Sequence, residues 1–147
     1  MVKQLVFCAL FILSVNQGFA QSSEIFQTKE GIAIKGYDPV AFFLEQKPVK
    51  GSDSFRLEWK AAIWLFSTAA HRELFRNDPE KFAPQYGGYC AYGVAGNHKS
   101  PTETDTWTIS GGRLFFNYNQ TVKSLWLKDS ARLILKADSL WQEIRIK

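Results

Sequence analysis

Residues 54–71 read SFRLEWKAAIWLFSTAAH and pass from strand to helix periodicity. Phe55, Leu57 and Trp59 alternate with Arg56, Glu58 and Lys60, the period-2 pattern of a half-buried strand. Ile63, Trp64, Leu65 and Phe66 form the returning strand, so residues 54–66 are expected to close a hairpin. Ser67 and Thr68 then offer side-chain oxygens as caps for a helix from Ala69 to Arg76, with Leu74 and Phe75 on its core side. A hairpin that runs straight into a helix implies the α+β class: small antiparallel hairpins with helices packed against them.

Working outward, the same signals recur on both sides. Asp38-Pro39 is an N-cap followed by a good first helical residue, which predicts a short helix through Val40, Ala41, Phe42, Phe43 and Leu44. Ile32 and Ile34 alternate with Ala33 and Lys35 as in a short strand. Asp78-Pro79-Glu80 caps a turn that ends near Phe82, and residues 83–88 have loop chemistry. Trp107 and Ile109, then Leu114 and Phe116, flank Ser110-Gly111-Gly112 and predict a second hairpin. From Asn119 onward Val122, Leu125, Trp126, Leu133, Ile134, Ala137, Leu140 and Trp141 recur at helical spacing. Asp129 or Ser130 divides that stretch into two helices, giving a helical C-terminus.

The N-terminus is different. Lys3 is the only charge among the first twenty residues; an apolar run follows from Leu5 to Val15, and Gly18-Phe19-Ala20 places small residues where a signal peptidase cuts. The run is about half the ~20 residues a membrane span needs. Residues 1–20 are therefore expected to be a signal peptide, residues 21–31 a loose polar lead-in, and residues 32–147 one domain. The protein would be exported, periplasmic or extracellular, with no membrane span and an undetermined oligomeric state. Loss of Lys3 reduces 18 basic residues to 17 against 14 acidic ones, a net charge of about +3. The basic residues form no run, which argues against nucleic acid as a partner.

Cysteine usage carries the chemical expectation. The chain has two cysteines, and Cys8 would leave with the signal peptide, so no intramolecular disulfide can form. Cys90 is then a lone thiol, flagged as buried, paired, metal-bound or reactive. His71 is expected in the first turn of its helix, facing inward with Leu74 and Phe75. Thiolate with imidazole is a donor set for a transition metal, copper first and zinc second. On this reading Cys90 and His71 are the metal ligands, and Tyr37, Asp38, Tyr86 and Tyr89 line the pocket or hold the ligands in place. Two alternatives stand beside it. One is a non-catalytic ligand- or protein-binding module with an aromatic pocket and a structural Cys90, for which the 12 Phe, 5 Tyr and 5 Trp provide material. The other is an enzyme with Cys90 as nucleophile and His71 as base. His98, in a polar loop, is expected to be solvated.

Several segments also carry a resemblance. Gly36-Tyr37-Asp38-Pro39-Val40-Ala41-Phe42-Phe43, then Phe66-Ser67-Thr68-Ala69-Ala70-His71-Arg72 and Asp78-Pro79-Glu80-Lys81-Phe82, followed by Tyr86-Gly87-Gly88-Tyr89-Cys90-Ala91 and Leu114-Phe115-Phe116-Asn117-Tyr118-Asn119, resemble the ordered motifs of stand-alone exported YHS-domain proteins. The resemblance covers roughly Ile32 to Trp141. It implies a treble-clef-related core and an association with heavy-metal transport. Metal-binding YHS modules carry cysteines after Asp-Pro-Val and in a Phe-Cys-Ser-x-x-Cys segment. At those places this chain has Ala41, Ser67 and His71, so the resemblance implies the fold more than a four-cysteine site.

Overall fold

The computed structural model describes residues 23–147; the expected signal peptide and Cys8 lie outside them. Strand β4, Arg113–Asn117, organises what is described, because its alternate side chains face two different cores. Leu114 and Phe116 enter one cluster with Val40, Phe42, Trp64, Phe66 and Phe75. Phe115, one residue over, enters another with Tyr86, Val94, Trp126 and Ala137. All three β4 residues are 1% exposed or less.

The elements around β4 follow from local chemistry. Helix α1, Pro39–Leu44, begins where Asp38 accepts from the Val40 and Ala41 amides. Strands β1, Ser52–Trp59, and β2, Ala62–Phe66, pair antiparallel, with Trp59 opposite Ala62. Thr68 caps α2, Ala69–Asn77, Asp78 caps α3, Pro79–Phe82, and Asn119 caps α5, Gln120–Leu127. Helix α4, Ala91–Ala95, comes in the chain between α3 and the second hairpin of β3, Glu103–Ser110, with β4. The long α6, Ser130–Ile144, closes the second core against α4. The described residues thus form an α+β protein with two two-stranded antiparallel sheets. No helix among them is long and apolar enough to cross a membrane.

Three expectations need correction. Ile32–Lys35 is no regular strand: Ile34 and Lys35 take positive φ in a tight turn, and only isolated bridges form around them. Leu74 is 40% exposed while Phe75 is 0%, because the α2 core stripe passes through Phe75 alone at that turn. The described part of the polar lead-in, residues 23–31, is packed rather than loose. Ile25 is 2% exposed, and the Phe26 amide donates to the Gly87 carbonyl at 2.9 Å.

The two hairpin tips differ. Both have two central residues at positive φ, the pattern of the I′ turn that matches strand twist. The β3–β4 tip uses Gly111 and Gly112, at +58° and +73°. The β1–β2 tip uses Lys60 and Ala61, at +49° and +54°, where L-residues are strained. Ala61→Gly should relieve that strain and raise stability by about 1 kcal/mol, seen as a rise of about 3–5 °C in the thermal midpoint. An unchanged midpoint would mean that the turn is not strained.

Candidate functional site

The residues that the sequence singles out separate into three places. Asp38 and His71 meet. The Asp38 carboxylate is 0% exposed and divides its oxygens. Oδ1 caps α1, accepting from Val40 N at 2.9 Å and Ala41 N at 3.3 Å. Oδ2 accepts from Ser67 N at 2.8 Å and Ser67 Oγ at 2.7 Å, and faces His71 Nδ1 at 2.7 Å. A carboxylate in that position fixes the proton on Nδ1 and leaves Nε2 as the free ring nitrogen. Ser67 Oγ is also on the Nδ1 side, 3.4 Å away. A serine activated by this imidazole would have to face Nε2, so Asp38, His71 and Ser67 do not form a nucleophilic triad. Tyr37, next in the chain, packs against the first core with the Lys50 ammonium 4.2 Å over its ring.

Cys90 has other partners. It is 2% exposed, N-caps α4 by accepting the Gly93 amide at 3.4 Å, and points its thiol at Asn117 Oδ1, 3.7 Å away. The sulfur and the His71 ring share no hydrogen-bond partner: His71 is held by Asp38 and Ser67, Cys90 by α4 and β4. Burial pushes the thiol pKa up, and the backbone amides of Gly93, Tyr118 and Tyr92 offset only part of that. A raised pKa keeps the sulfur protonated at neutral pH and weakly nucleophilic. We expect a thiol reagent to modify native Cys90 at least about a hundredfold more slowly than the unfolded chain, since attack requires opening of the fold. Equal rates would show the sulfur to be accessible. Among the described residues no group of three or more His, Cys, Asp or Glu is placed to hold a metal ion.

Tyr86 and Tyr89 converge on Trp141, with ring centroids 5.9 Å and 6.3 Å from it. The Tyr89 hydroxyl donates to the Ser23 carbonyl at 2.9 Å. Beside them opens a cleft of about 370 Å³ along the seam between the two cores. Trp59 and Lys60 from the strained hairpin tip line it together with Trp141 and Arg145 of the α6 region. Tyr86, Gln85, Arg113 and Asp138 supply the polar floor. Arg113 clamps Asp138 in bidentate fashion at 2.6 and 3.0 Å and donates twice to Gln85 Oε1 at 2.8 and 3.0 Å. The Tyr86 hydroxyl donates to Asp138 Oδ1 at 2.8 Å.

This network moves protons off their usual values. Burial, then the Asp138 hydrogen bond, pushes the Tyr86 hydroxyl well above the ordinary phenol range. Burial alone would raise Asp138, but the hydrogen bonds from Arg113 and Tyr86 and the guanidinium charge outweigh it and hold the carboxyl low. The signs follow by linkage. Tyr86 and Cys90, raised in the folded state, contribute stability present at neutral pH and lost as pH rises beyond about 8.5–10, where the unfolded groups ionise. Asp138, lowered, contributes stability lost as pH falls below about 4. Denaturant midpoints should therefore fall on the alkaline side, and Tyr86→Phe with Cys90→Ala should flatten that limb. A limb unchanged in the double variant would assign the loss to other groups.

The cleft is not visible in the sequence as a unit. Its walls come from positions 24 to 145, and of the residues with a sequence-based expectation for a site only Tyr86 lines it. One signal is present: Trp59-Lys60-Ala61-Ala62 is a two-residue hairpin tip without Gly or Asn. No protein-family model, curated protein or solved structure matches the chain.

Proposed function

We propose that the protein is a non-catalytic ligand-binding module that takes a small molecule into the cleft between Trp59 and Trp141, with Cys90 as part of its frame. One observation carries this reading: two non-glycine residues held in left-handed backbone line the cleft. Lys60 at φ +49° and Tyr86 at φ +56° both line it, and neither is glycine. Such conformations persist where the surrounding structure over-determines them, and they concentrate at binding sites. The volume, about 370 Å³, falls within the ~300–1,000 Å³ of small-molecule sites. The bidentate Arg113–Asp138 pair holds the floor in one geometry before any ligand arrives.

A thermal-shift screen tests the reading. A ligand present at 100 times its Kd stabilises the folded state by about 2.7 kcal/mol. Hits should raise the midpoint of the wild type and fail to do so for Arg113→Met. Hits that stabilise both proteins equally bind elsewhere, which would overturn the assignment.

A second reading rests on the Asp38–His71 pair. A carboxylate on Nδ1 with Nε2 left free is how proteins orient a histidine that ligates copper or zinc. Cu(II) or Zn(II) titration of wild type and His71→Ala decides it: binding lost only in the variant supports it, and identical isotherms reject it.

A further inference from the structure

We infer that the ligand of the cleft is a neutral polyhydroxylated molecule, a saccharide that lays one ring face on Trp141. The inference rests on the cleft being the binding site and adds the chemical class. Charge balance comes first. Glu24, Glu80 and Asp138 line the cleft against Lys60, Arg113 and Arg145, three of each sign. These groups neutralise one another. Lys60 Nζ is 3.1 Å from Glu80 and 3.4 Å from Glu24, Arg145 is 3.6 Å from Glu24, and Arg113 is clamped on Asp138. A ligand with net charge would find no unpaired counter-charge and would lose hydration for little Coulombic return.

Paired, planar side chains serve hydroxyl groups well. Each carboxylate oxygen keeps acceptor capacity after its ion pair is made, and a guanidinium keeps donors. Asp138 Oδ2 accepts one protein hydrogen bond, from Arg113, and Arg113 Nη1 donates one. An adjacent donor and acceptor of this kind matches a pair of neighbouring hydroxyls, each of which both gives and takes a hydrogen bond. Gln142, on the exposed side of α6, adds a further amide.

The aromatic contribution is specific to one wall. Trp59 already carries the Lys60 ammonium 4.6 Å over its ring and has Trp64 and Phe75 against it. Trp141 packs on Tyr86 and Tyr89, is half-buried, and lines the cleft. Indole presents a flat apolar surface that suits the C–H face of a sugar ring, while the floor takes the hydroxyl edge.

Indole N–H signals in a ¹H–¹⁵N spectrum of the labelled protein test this, because the five tryptophans report separately. Three probes are added in turn at millimolar concentration: a panel of neutral mono- and disaccharides, glycine betaine, and sulfate. A saccharide is expected to shift the Trp141 indole signal saturably while betaine and sulfate leave it in place. Trp141→Ala should weaken that saccharide at least tenfold, and Trp141→Phe should recover part of the loss. If betaine or sulfate moves the Trp141 signal and no saccharide does, the chemical class is wrong and the cleft stands as the site. If no probe moves it, and hits from the thermal-shift screen also leave it in place, the cleft assignment itself falls.

Discussion

Asp38→Ala should cost the fold about 3–5 kcal/mol, the range for breaking a buried charged network from one side. The carboxylate is fully buried and contacts five donors: the amides of Val40, Ala41 and Ser67, the Ser67 hydroxyl and the His71 ring. These belong to α1 and to the junction of β2 with α2, elements separated in the chain. Truncation orphans three backbone N–H groups at once, each costing about 1–3 kcal/mol when left buried and unpaired. Asp38→Asn keeps the shape but turns an NH₂ toward one set of donors, so it should lose less than the alanine and more than Ser67→Ala. Removal of the Ser67 hydroxyl leaves the carboxylate with its other donors and should cost about 1 kcal/mol. Urea unfolding with an unchanged m-value measures all three. A loss below about 1 kcal/mol for Asp38→Ala would show that water enters and replaces the side chain.

The second large effect is at Gly87. A Cβ there would lie 1.8 Å from the Glu24 carbonyl oxygen, on a backbone at φ +62°. The Phe26 amide bonds to Gly87 itself, so the segment from Ser23 to Gln27 cannot retreat without giving up that bond. Gly87→Ala should cost more than about 3 kcal/mol, beyond the 1–2 kcal/mol of a left-handed L-residue alone. Gly111 is the control. It has φ +58°, and a methyl group added there would meet nothing within 4 Å. Gly111→Ala should therefore show the conformational cost alone, about 1–2 kcal/mol. The difference between the two variants isolates the collision. Because Glu24 and Ile25 line the cleft, Gly87→Ala should also abolish ligand stabilisation in protein that remains folded. Equal costs for the two glycines would mean that the N-terminal segment is not held where the structure has it.

Local chemistry is legible in the sequence. The caps at Asp38, Thr68 and Asp78, the helical start at Asn119, both hairpins and the paired C-terminal helices each rest on a few adjacent residues, and each occurs. What depends on packing between distant segments is not. Asp38 and His71 are each readable, one as a cap and the other as a first-turn histidine. Their bond spans 33 positions and needs α1 and α2 brought side by side. The Ile32–Lys35 alternation resembles a strand because periodicity does not report φ, and Ile34 at +40° is a conformation its branched side chain disfavours. Ile25 escapes notice because one apolar residue in a polar stretch has no period. The two-core arrangement around β4 also lies beyond the sequence pattern. Leu114, Phe115 and Phe116 read as a continuous apolar run, and only the packed helices on the far side explain why both faces are covered.

The Cys90 sulfur has a local role that its residue type does not announce. A solitary thiol invites a chemical role, yet here it replaces the Ser or Asp that usually receives the first amides of a helix. The cleft draws no attention in the sequence because its charges are scattered along the chain and cancel only in space.

A crystal structure of the protein soaked with the strongest hit of the thermal-shift screen would show where the ligand sits. Ligand density is expected between Trp59 and Trp141, in contact with the Arg113–Asp138 pair. Density against His71 or Cys90, with the cleft holding only solvent, would contradict the cleft assignment.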